Sequence, residues 1–219
     1  EKWVGHDISE WWMVGVPYTP VTIPVAEGIE LSAWWITPQN TNNKTVIVTH
    51  GIGTSRRDFN TLMPAAMLVK DGFNVLLVDS RDTGESTCTD GRHSAGQEES
   101  DDFARVADWL VQEQGLSASS IGMFGVSGGA IATSLTPAKT ENISAFAMEG
   151  TIFDFNAAAT REVEYQGFPG FLWQLALVSA QLFHGVNLTE TAVTDSIAAA
   201  GDRPMLILHG EIDQRLDYQ

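Results

Sequence analysis

A serine enclosed by glycines is the feature of this chain that could carry out covalent chemistry. The segment MFGVSGGA, residues 123–130, contains Gly125, Ser127 and Gly129 in the spacing G-x-S-x-G. A serine hydroxyl is a weak nucleophile by itself, but a base and a sharp turn can make it attack a carbonyl carbon. Glycine and serine are both common, so the pattern also fits an ordinary glycine-rich turn. The surrounding sequence must decide between these interpretations.

A small, open loop could supply a second part of such a site. The tetrapeptide HGIG, residues 50–53, follows a run of β-branched residues. A backbone N–H in this loop could donate to the oxyanion that forms when a serine attacks a carbonyl. The candidate donors are the N–H groups of Ile52 and Gly128. His50 and Gly51 are expected to shape the loop. The loop needs His50 for its shape more than for proton transfer.

A carboxylate follows the last apolar run of the chain. The run PMLILHG, residues 204–210, leads directly to Asp213. A carboxylate in this position could orient a histidine, and the alternative is a solvated loop carboxylate. Asp217 and Glu211 are the other acids that could take the orienting role.

Alternating strand and helix patterns indicate how these residues are positioned. The runs VTIPV and ELSAWWI, separated by AEGI, predict an opening antiparallel hairpin. Five further runs lack polar alternation, which is typical of parallel strands buried on both faces. They span residues 45–50, 74–79, 120–125, 143–149 and 204–210. Parallel sheets bind ligands beyond the carboxyl ends of their strands, where Ser127, the HGIG loop and Asp213 are expected.

Helices are predicted between these strands. Residues 98–115 carry apolar side chains at helical spacing, with acids in the first turn and Gly115 at the C-terminal cap. A second helix is expected over residues 61–70, ending before Gly72. The acids Glu98, Asp101 and Asp102 are interpreted as charges at a helix start and not as a metal site. The sequence AIATSL predicts a further helix directly after the serine turn.

Four blocks of sequence, in this order and spacing, carry a family resemblance. They are HGIGTSRRDF, VLLVDSRDTGES, IGMFGVSGGA and PMLILHGEIDQRL. Together they resemble the α/β-hydrolase superfamily, and most closely its small bacterial serine esterase-like members. The resemblance covers essentially the whole chain. It implies an α/β fold: a single α/β-hydrolase domain, residues 1–219, with a mostly parallel twisted sheet and helices on both faces.

The resemblance also implies roles for the candidate residues. Ser127 would be the nucleophile, Asp213 the acid of the catalytic triad, and Ile52 and Gly128 the oxyanion donors. In the second block Asp79, Arg81, Gly84 and Ser86 match D-x-R-x-x-G-x-S, which shapes the loop after its strand in the family. Gly125 and Gly129 would likewise shape the turn around the serine. A serine nucleophile implies an acyl-enzyme and cleavage of a carboxylic ester or thioester.

The histidine that this mechanism needs is not evident. The family order is serine, acid, histidine, but no histidine follows Asp213. The chain contains five: His6, His50, His93, His184 and His209. The expectation is therefore that the last strand, the last helix and the catalytic histidine are missing from this sequence. A pseudo-enzyme and a base recruited from elsewhere, with His93 or His184 as candidates, are the alternatives.

Composition excludes several classes of function. The formal net charge is −16, and such an acidic surface repels nucleic acid and anionic membranes. No apolar run reaches the roughly 18 residues that a membrane span requires. Cys88 is the only cysteine, so an internal disulfide is impossible. No phosphate-binding loop, metal-ligand cluster or dinucleotide fingerprint is evident, so no cofactor is expected.

The partner, substrate and compartment are less defined. Residues 151–200 include FPGFLWQLALVSAQLFHGV, which could be a helix packed on the sheet or a lid over an apolar acyl pocket. The expected partner is a small-molecule acyl ester, and the oligomeric state is open. The alternative function is a non-catalytic binding or scaffold protein with a hydrolase-like shell. Because the chain starts at Glu1 without a methionine or signal-peptide pattern, the compartment is open, with the cytoplasm favoured.

Overall fold

A seven-stranded mixed sheet organises the computed structural model, which describes residues 17–184 and 193–213. The strands are β1 Tyr18–Ala26, β2 Ile29–Ile36, β3 Thr45–Thr49, β4 Asn74–Val78, β5 Ile121–Val126, β6 Ala145–Glu149 and β7 Met205–Leu208. Their order in the sheet is β1-β2-β4-β3-β5-β6-β7. The helices are α1 Phe59–Lys70, α2 Gln97–Gln112, α3 Gly128–Leu135, α4 Phe155–Tyr165, α5 Phe171–His184 and α6 Val193–Ala198. The predicted α/β architecture is confirmed.

The opening hairpin lies at one edge of the sheet. Strands β1 and β2 pair antiparallel, with Tyr18 opposite Ile36, and Gly28 adopts a φ of +72° in the turn between them. Strand β2 also pairs antiparallel with β4. From β4 to β7 all neighbouring strands are parallel, so their carboxyl ends meet at one edge. The predicted hairpin and the five predicted parallel strands are therefore confirmed.

Two apolar layers cover opposite faces of the sheet, as the alternation of side chains along a strand requires. On one face Val46 and Val48 of β3 pack in a cluster with Leu62 and Val69 of α1. On the other face Ile47 of the same strand belongs to a cluster with Phe103, Val106, Ala107 and Leu110 of α2. Helices therefore cover both faces, as the sequence predicted.

The end of α2 differs from the sequence prediction. The helix stops at Gln112 and not at Gly115. The carbonyl of Trp109 accepts the N–H groups of both Glu113 and Gln114, at 2.9 and 3.3 Å, which ends the regular ladder. Gly115 then adopts a φ of +68°, a conformation that glycine reaches without steric cost. Glycine thus marks the turn after the helix rather than its cap.

The segment between β6 and β7 contains two different environments. Val193 and Ser196 of α6 are buried, and Val193 packs with Ile131 and Leu135 of α3. Helices α4 and α5 pack on each other, and α5 exposes large apolar side chains, including Phe171 and Leu175. Helix α6 is thus part of the core, while α4 and α5 form an outer pair. In the part of the chain described here, none of the helices combines the length and apolarity needed to cross a bilayer.

Candidate active site

Ser127 occupies the turn between a strand and a helix. Strand β5 ends at Val126, helix α3 begins at Gly128, and Ser127 adopts φ +52° and ψ −115°. A non-glycine residue in such a conformation costs about 1–3 kcal/mol, so surrounding contacts must hold it there. The Ser127 N–H donates to the Glu149 carbonyl at 2.8 Å, and the Ser127 carbonyl accepts the Ala130 N–H at 2.9 Å. These bonds fix the turn to both β6 and α3.

The glycines on either side of Ser127 permit close approaches that no larger residue would allow. A Cβ at Gly125 would lie 2.3 Å from the Gly129 carbonyl oxygen and from Thr133 Oγ1. A Cβ at Gly129 would lie 2.5 Å from Thr49 Oγ1 and 2.6 Å from the His50 carbonyl oxygen. The helix can therefore start directly against the ends of β3 and β5. This local geometry is what the G-x-S-x-G spacing requires.

The loop after β3 lies against this turn. A Cβ at Gly51 would be 3.3 Å from Ser127 Cβ, and a Cβ at Gly128 would be 2.8 Å from the Ile52 backbone nitrogen. The Ile52 N–H has no acceptor among the residues that the structure describes. Gly128 is the first residue of α3, where backbone N–H groups lack an intrahelical acceptor. The structure thus brings together the two N–H groups that the sequence selected as oxyanion donors.

His50 is enclosed by the loops after β3 and β4. Its side chain is buried, with Nδ1 2.9 Å from the Gly51 carbonyl oxygen and Nε2 3.0 Å from the Ser80 backbone nitrogen. Because the Ser80 N–H donates to Nε2, the ring proton belongs on Nδ1. Burial lowers the pKa of His50 below its ordinary value, which favours a neutral ring. This arrangement suits a residue that shapes a loop.

A buried ion pair joins the same two loops, and sequence reasoning missed one of its members. Arg56 and Asp79 are each 1% exposed, and the Arg56 guanidinium pairs with Asp79 and with Glu85. The Asp79 carboxylate also accepts the backbone N–H groups of Arg56, at 2.7 Å, and Glu85, at 2.9 Å. Trp34 stacks against the Arg56 guanidinium at 4.8 Å. The only sequence signal for Arg56 was its position in the HGIGTSRRDF block.

The loop after β4 is also tied to α2. Arg81 donates to both carboxylate oxygens of Asp102, at 2.7 and 2.6 Å, and lies 3.1 Å from Glu98. Lys139 pairs with Asp101 at 2.8 Å. The acids at the start of α2 therefore have cationic partners. A Cβ at Gly84 would lie 1.9 Å from Asp79 Oδ2, so that glycine allows the loop to close over the carboxylate.

Asp213 lies beyond the carboxyl end of β7. Because β5, β6 and β7 are consecutive parallel strands, Asp213 and Ser127 follow the same edge of the sheet. The Asp213 N–H donates to the Gly210 carbonyl at 3.1 Å, and its Oδ2 is 3.7 Å from His209 Nε2. Glu211 is exposed, and Asp217 lies outside the described residues.

Among the residues that the structure describes, no histidine hydrogen-bonds to the Ser127 hydroxyl. Within residues 17–184 and 193–213, the Ser127 hydroxyl has no hydrogen-bond partner. His50 is engaged with Gly51 and Ser80, and His93 is 3.7 Å from the buried Glu99. His184 ends α5, and His6 lies outside the described residues.

A family model matches this chain, and solved structures share its fold. The family model of the X-Pro dipeptidyl-peptidases (S15 family) matches residues 27–214. The esterase Pf2001 of Pyrococcus furiosus is 26% identical, with a TM-score of 0.74, covering 100% of this chain and 78% of that one. The α/β hydrolase GrgF of Penicillium sp. sh18 is 15% identical, with a TM-score of 0.67, covering 90% of this chain and 81% of that one.

A further structure has a different substrate in its name. The 2,6-dihydroxy-pseudo-oxynicotine hydrolase is 18% identical, with a TM-score of 0.70, covering 92% of this chain and 55% of that one. No curated protein matches this chain. Because the S15 model matches most of the chain and the solved structures share its fold, the protein is a hydrolase of the α/β-hydrolase superfamily and belongs to the S15 family.

Proposed function

We propose that this protein is a serine hydrolase that cleaves a carboxylic ester or thioester through an acyl-enzyme on Ser127. The observation that carries the proposal is the contact between the strained Ser127 turn and the Gly51–Ile52 loop. It places the N–H groups of Ile52 and Gly128 beside the serine, and neither has an acceptor among the described residues. Donors in this position suit the negative oxygen of a tetrahedral intermediate. The N-terminus of α3 adds a favourable field for that charge.

The reaction then follows from these groups. Ser127 Oγ bonds to the carbonyl carbon as its proton passes to a base, and the carbonyl oxygen becomes an oxyanion held by the N–H groups of Ile52 and Gly128. Collapse of the intermediate breaks the bond to the alcohol or thiol, which leaves with the proton from the base. Water attacks the acyl-enzyme by the same steps and releases the acid. Asp213 takes the role of the carboxylate that orients the histidine base.

An apolar acyl group is the expected substrate element. Ile52 is 51% exposed beside the serine turn, and such a side chain favours contact with a hydrocarbon. The similarity to the esterase Pf2001 also supports an ester substrate. A second candidate is hydrolysis of X-Pro peptides, and the S15 family match favours it.

An assay with two chromogenic substrates separates these candidates. Short p-nitrophenyl esters report esterase activity, and glycyl-prolyl-p-nitroanilide reports X-Pro peptidase activity. Three samples are compared. The first is residues 1–219 alone, the second is the product of the complete reading frame, and the third is the Ser127→Ala variant of that product. Ser119→Ala serves as the matched control because Ser119 is exposed and bonds to Ser117.

We expect ester turnover by the complete product and by Ser119→Ala, and none by folded Ser127→Ala. Equal turnover by Ser127→Ala would exclude Ser127 as the nucleophile. Release of nitroaniline without ester turnover would favour the peptidase. Binding of an ester without any turnover would favour the non-catalytic alternative. Equal activity of residues 1–219 and the complete product would place the base among the five histidines of this chain.

A further inference from the structure

The carbonyl of Gly51 accepts an unusual number of hydrogen bonds for a loop residue. The Thr54 hydroxyl donates to it at 2.9 Å, and the Thr54 backbone N–H does so at 3.3 Å. His50 Nδ1 lies 2.9 Å from the same oxygen. Most loop carbonyls need one partner or a water, so three donors fix the direction of this C=O bond.

The direction of that carbonyl determines the direction of the next N–H. In a trans peptide the C=O of Gly51 and the N–H of Ile52 belong to one rigid plane and point opposite ways. When His50 and Thr54 hold the oxygen on one side, the N–H is held on the other. Gly128 lies close to that nitrogen, because its Cβ would be 2.8 Å from Ile52 N. Donation into the carbonyl also polarises the amide and strengthens its N–H as a donor.

The ring of His50 is itself fixed in the donating form. The Ser80 backbone N–H donates to Nε2 at 3.0 Å, so Nε2 must keep its lone pair and the proton must sit on Nδ1. Ser80 follows β4, the neighbour of β3 in the sheet. The orientation of the Gly51–Ile52 peptide therefore depends on a contact with the adjacent loop.

We propose that Thr54 and His50 are positioning residues that hold the Gly51 carbonyl and thereby aim the Ile52 N–H at the oxyanion. This inference rests on the proposed function of Ser127. Neither residue contacts the substrate, and both act through the Gly51–Ile52 peptide. Loss of one donor should weaken stabilisation of the transition state and leave binding of the ground state unchanged.

Matched substitutions at Thr54 test this directly in the product of the complete reading frame. Thr54→Val keeps the branched shape and removes the hydroxyl, whereas Thr54→Ser keeps the hydroxyl. We expect Thr54→Val to lower kcat about tenfold with KM unchanged, less than the roughly 10²–10³-fold cost of losing an oxyanion donor. A boronic acid, which forms a tetrahedral anion on serine, should bind more weakly by a similar factor. Thr54→Ser should restore both quantities.

A second pair of variants separates the two nitrogens of His50. In His50→Asn the amide nitrogen lies near the position of Nδ1 and can donate to Gly51, whereas in His50→Gln the amide lies nearer Nε2. Among variants that fold, His50→Asn should retain more kcat than His50→Gln. Equal kcat for these two variants would exclude a directional role for the imidazole.

A crystal structure of Thr54→Val adds a readout that does not require activity. We expect a rotated Gly51–Ile52 peptide. An unchanged peptide, or kcat and boronate affinity equal to those of the wild type, would overturn the inference. Failure of the proposed function gives a different result, since Ser127→Ala would then match the wild type while the peptide still rotates in Thr54→Val.

Discussion

The backbone N–H of Ser127 donates a 2.8 Å hydrogen bond to the carbonyl oxygen of Glu149. Glu149 is the last residue of β6, and it lies opposite Val126 of β5 in the parallel ladder. The strained turn is therefore held as a continuation of the pairing between these strands. This explains how Ser127 keeps a positive φ, which an isolated turn would not maintain.

Gly128→Ala should reduce activity strongly. The new Cβ would lie 2.3 Å from Ile52 Cγ1 and 2.8 Å from Ile52 N, so the oxyanion loop must move. We expect kcat/KM for an ester to fall by about 10²–10³-fold, as for loss of one oxyanion donor. Steady-state kinetics, with circular dichroism to confirm folding, measures this.

Gly122→Ala, in the strand β5 that leads to the serine turn, is the matched control. Its Cβ would meet only Ala145 O at 3.6 Å and Val46 Cγ2 at 3.9 Å, which are ordinary contacts. Activity should stay within about twofold of the wild type, because removing conformational freedom from the unfolded chain is the main effect there. Full activity of Gly128→Ala would show that the loop at Ile52 does not need this close approach.

Arg56→Met should destabilise the protein by about 3–5 kcal/mol, because it leaves Asp79 buried without its charged partner. Chemical denaturation with urea measures the free energy of unfolding. The comparison variant is Arg105→Met. Arg105 is exposed, and its guanidinium lies 3.3 Å from the Asp108 carboxylate. That variant should change stability by less than about 1 kcal/mol. Similar losses for the two variants would mean that the burial of Arg56 is unimportant.

Stability should fall as the pH decreases below about 6.5, the ordinary pKa of histidine. Burial lowers the pKa of His50 and of His93 in the folded protein, so the unfolded chain takes up protons first. Unfolding then binds protons, and the free energy of unfolding decreases by up to about 1.4 kcal/mol per pH unit for each group. Urea denaturation at pH 7.5, 6.5 and 5.5 measures the slope.

His50→Asn removes one of these two groups. Between pH 6.5 and 5.5 the free energy of unfolding of this variant should depend less on pH than that of the wild type. The number of protons taken up on unfolding should be smaller by up to one. Asp79 and Asp58 oppose the effect of burial on the pKa of His50, whereas His93 adds to it. Identical slopes for wild type and variant would show that His50 titrates alike in the folded and unfolded chains.

One face of helix α5 carries an exposed apolar stripe. The stripe consists of Phe171, Leu175, Val178 and Leu182, which are 57–73% exposed. Leu177 lies on the opposite, half-buried face. We expect Leu182→Gln to change the free energy of unfolding by less than about 0.5 kcal/mol and Leu177→Gln to cost more. A loss above about 1 kcal/mol for Leu182→Gln would show that the stripe is covered in solution.

The sequence predicted the elements around the site for a physical reason. Strands buried on both faces must be continuously apolar, and the runs at residues 45–50, 74–79 and 120–125 have that property. The glycines at 125 and 129 indicated a sharp turn around the serine, and the structure shows which atoms approach each other there. The end of α2 was predicted less well, because Gly115 marks the turn after the helix and the last hydrogen bonds decide where the helix stops.

The sequence by itself determined the strand and helix order, the turn that holds Ser127 and the edge of the sheet where chemistry is expected, because these depend on local spacing and on the rule for parallel strands. Only the tertiary structure decided which groups from different loops meet. The Arg56 pair with Asp79, the Ser80 bond to His50 and the close packing of Ile52 on Gly128 join residues distant in sequence. Such contacts depend on strand order and register, which local patterns do not specify.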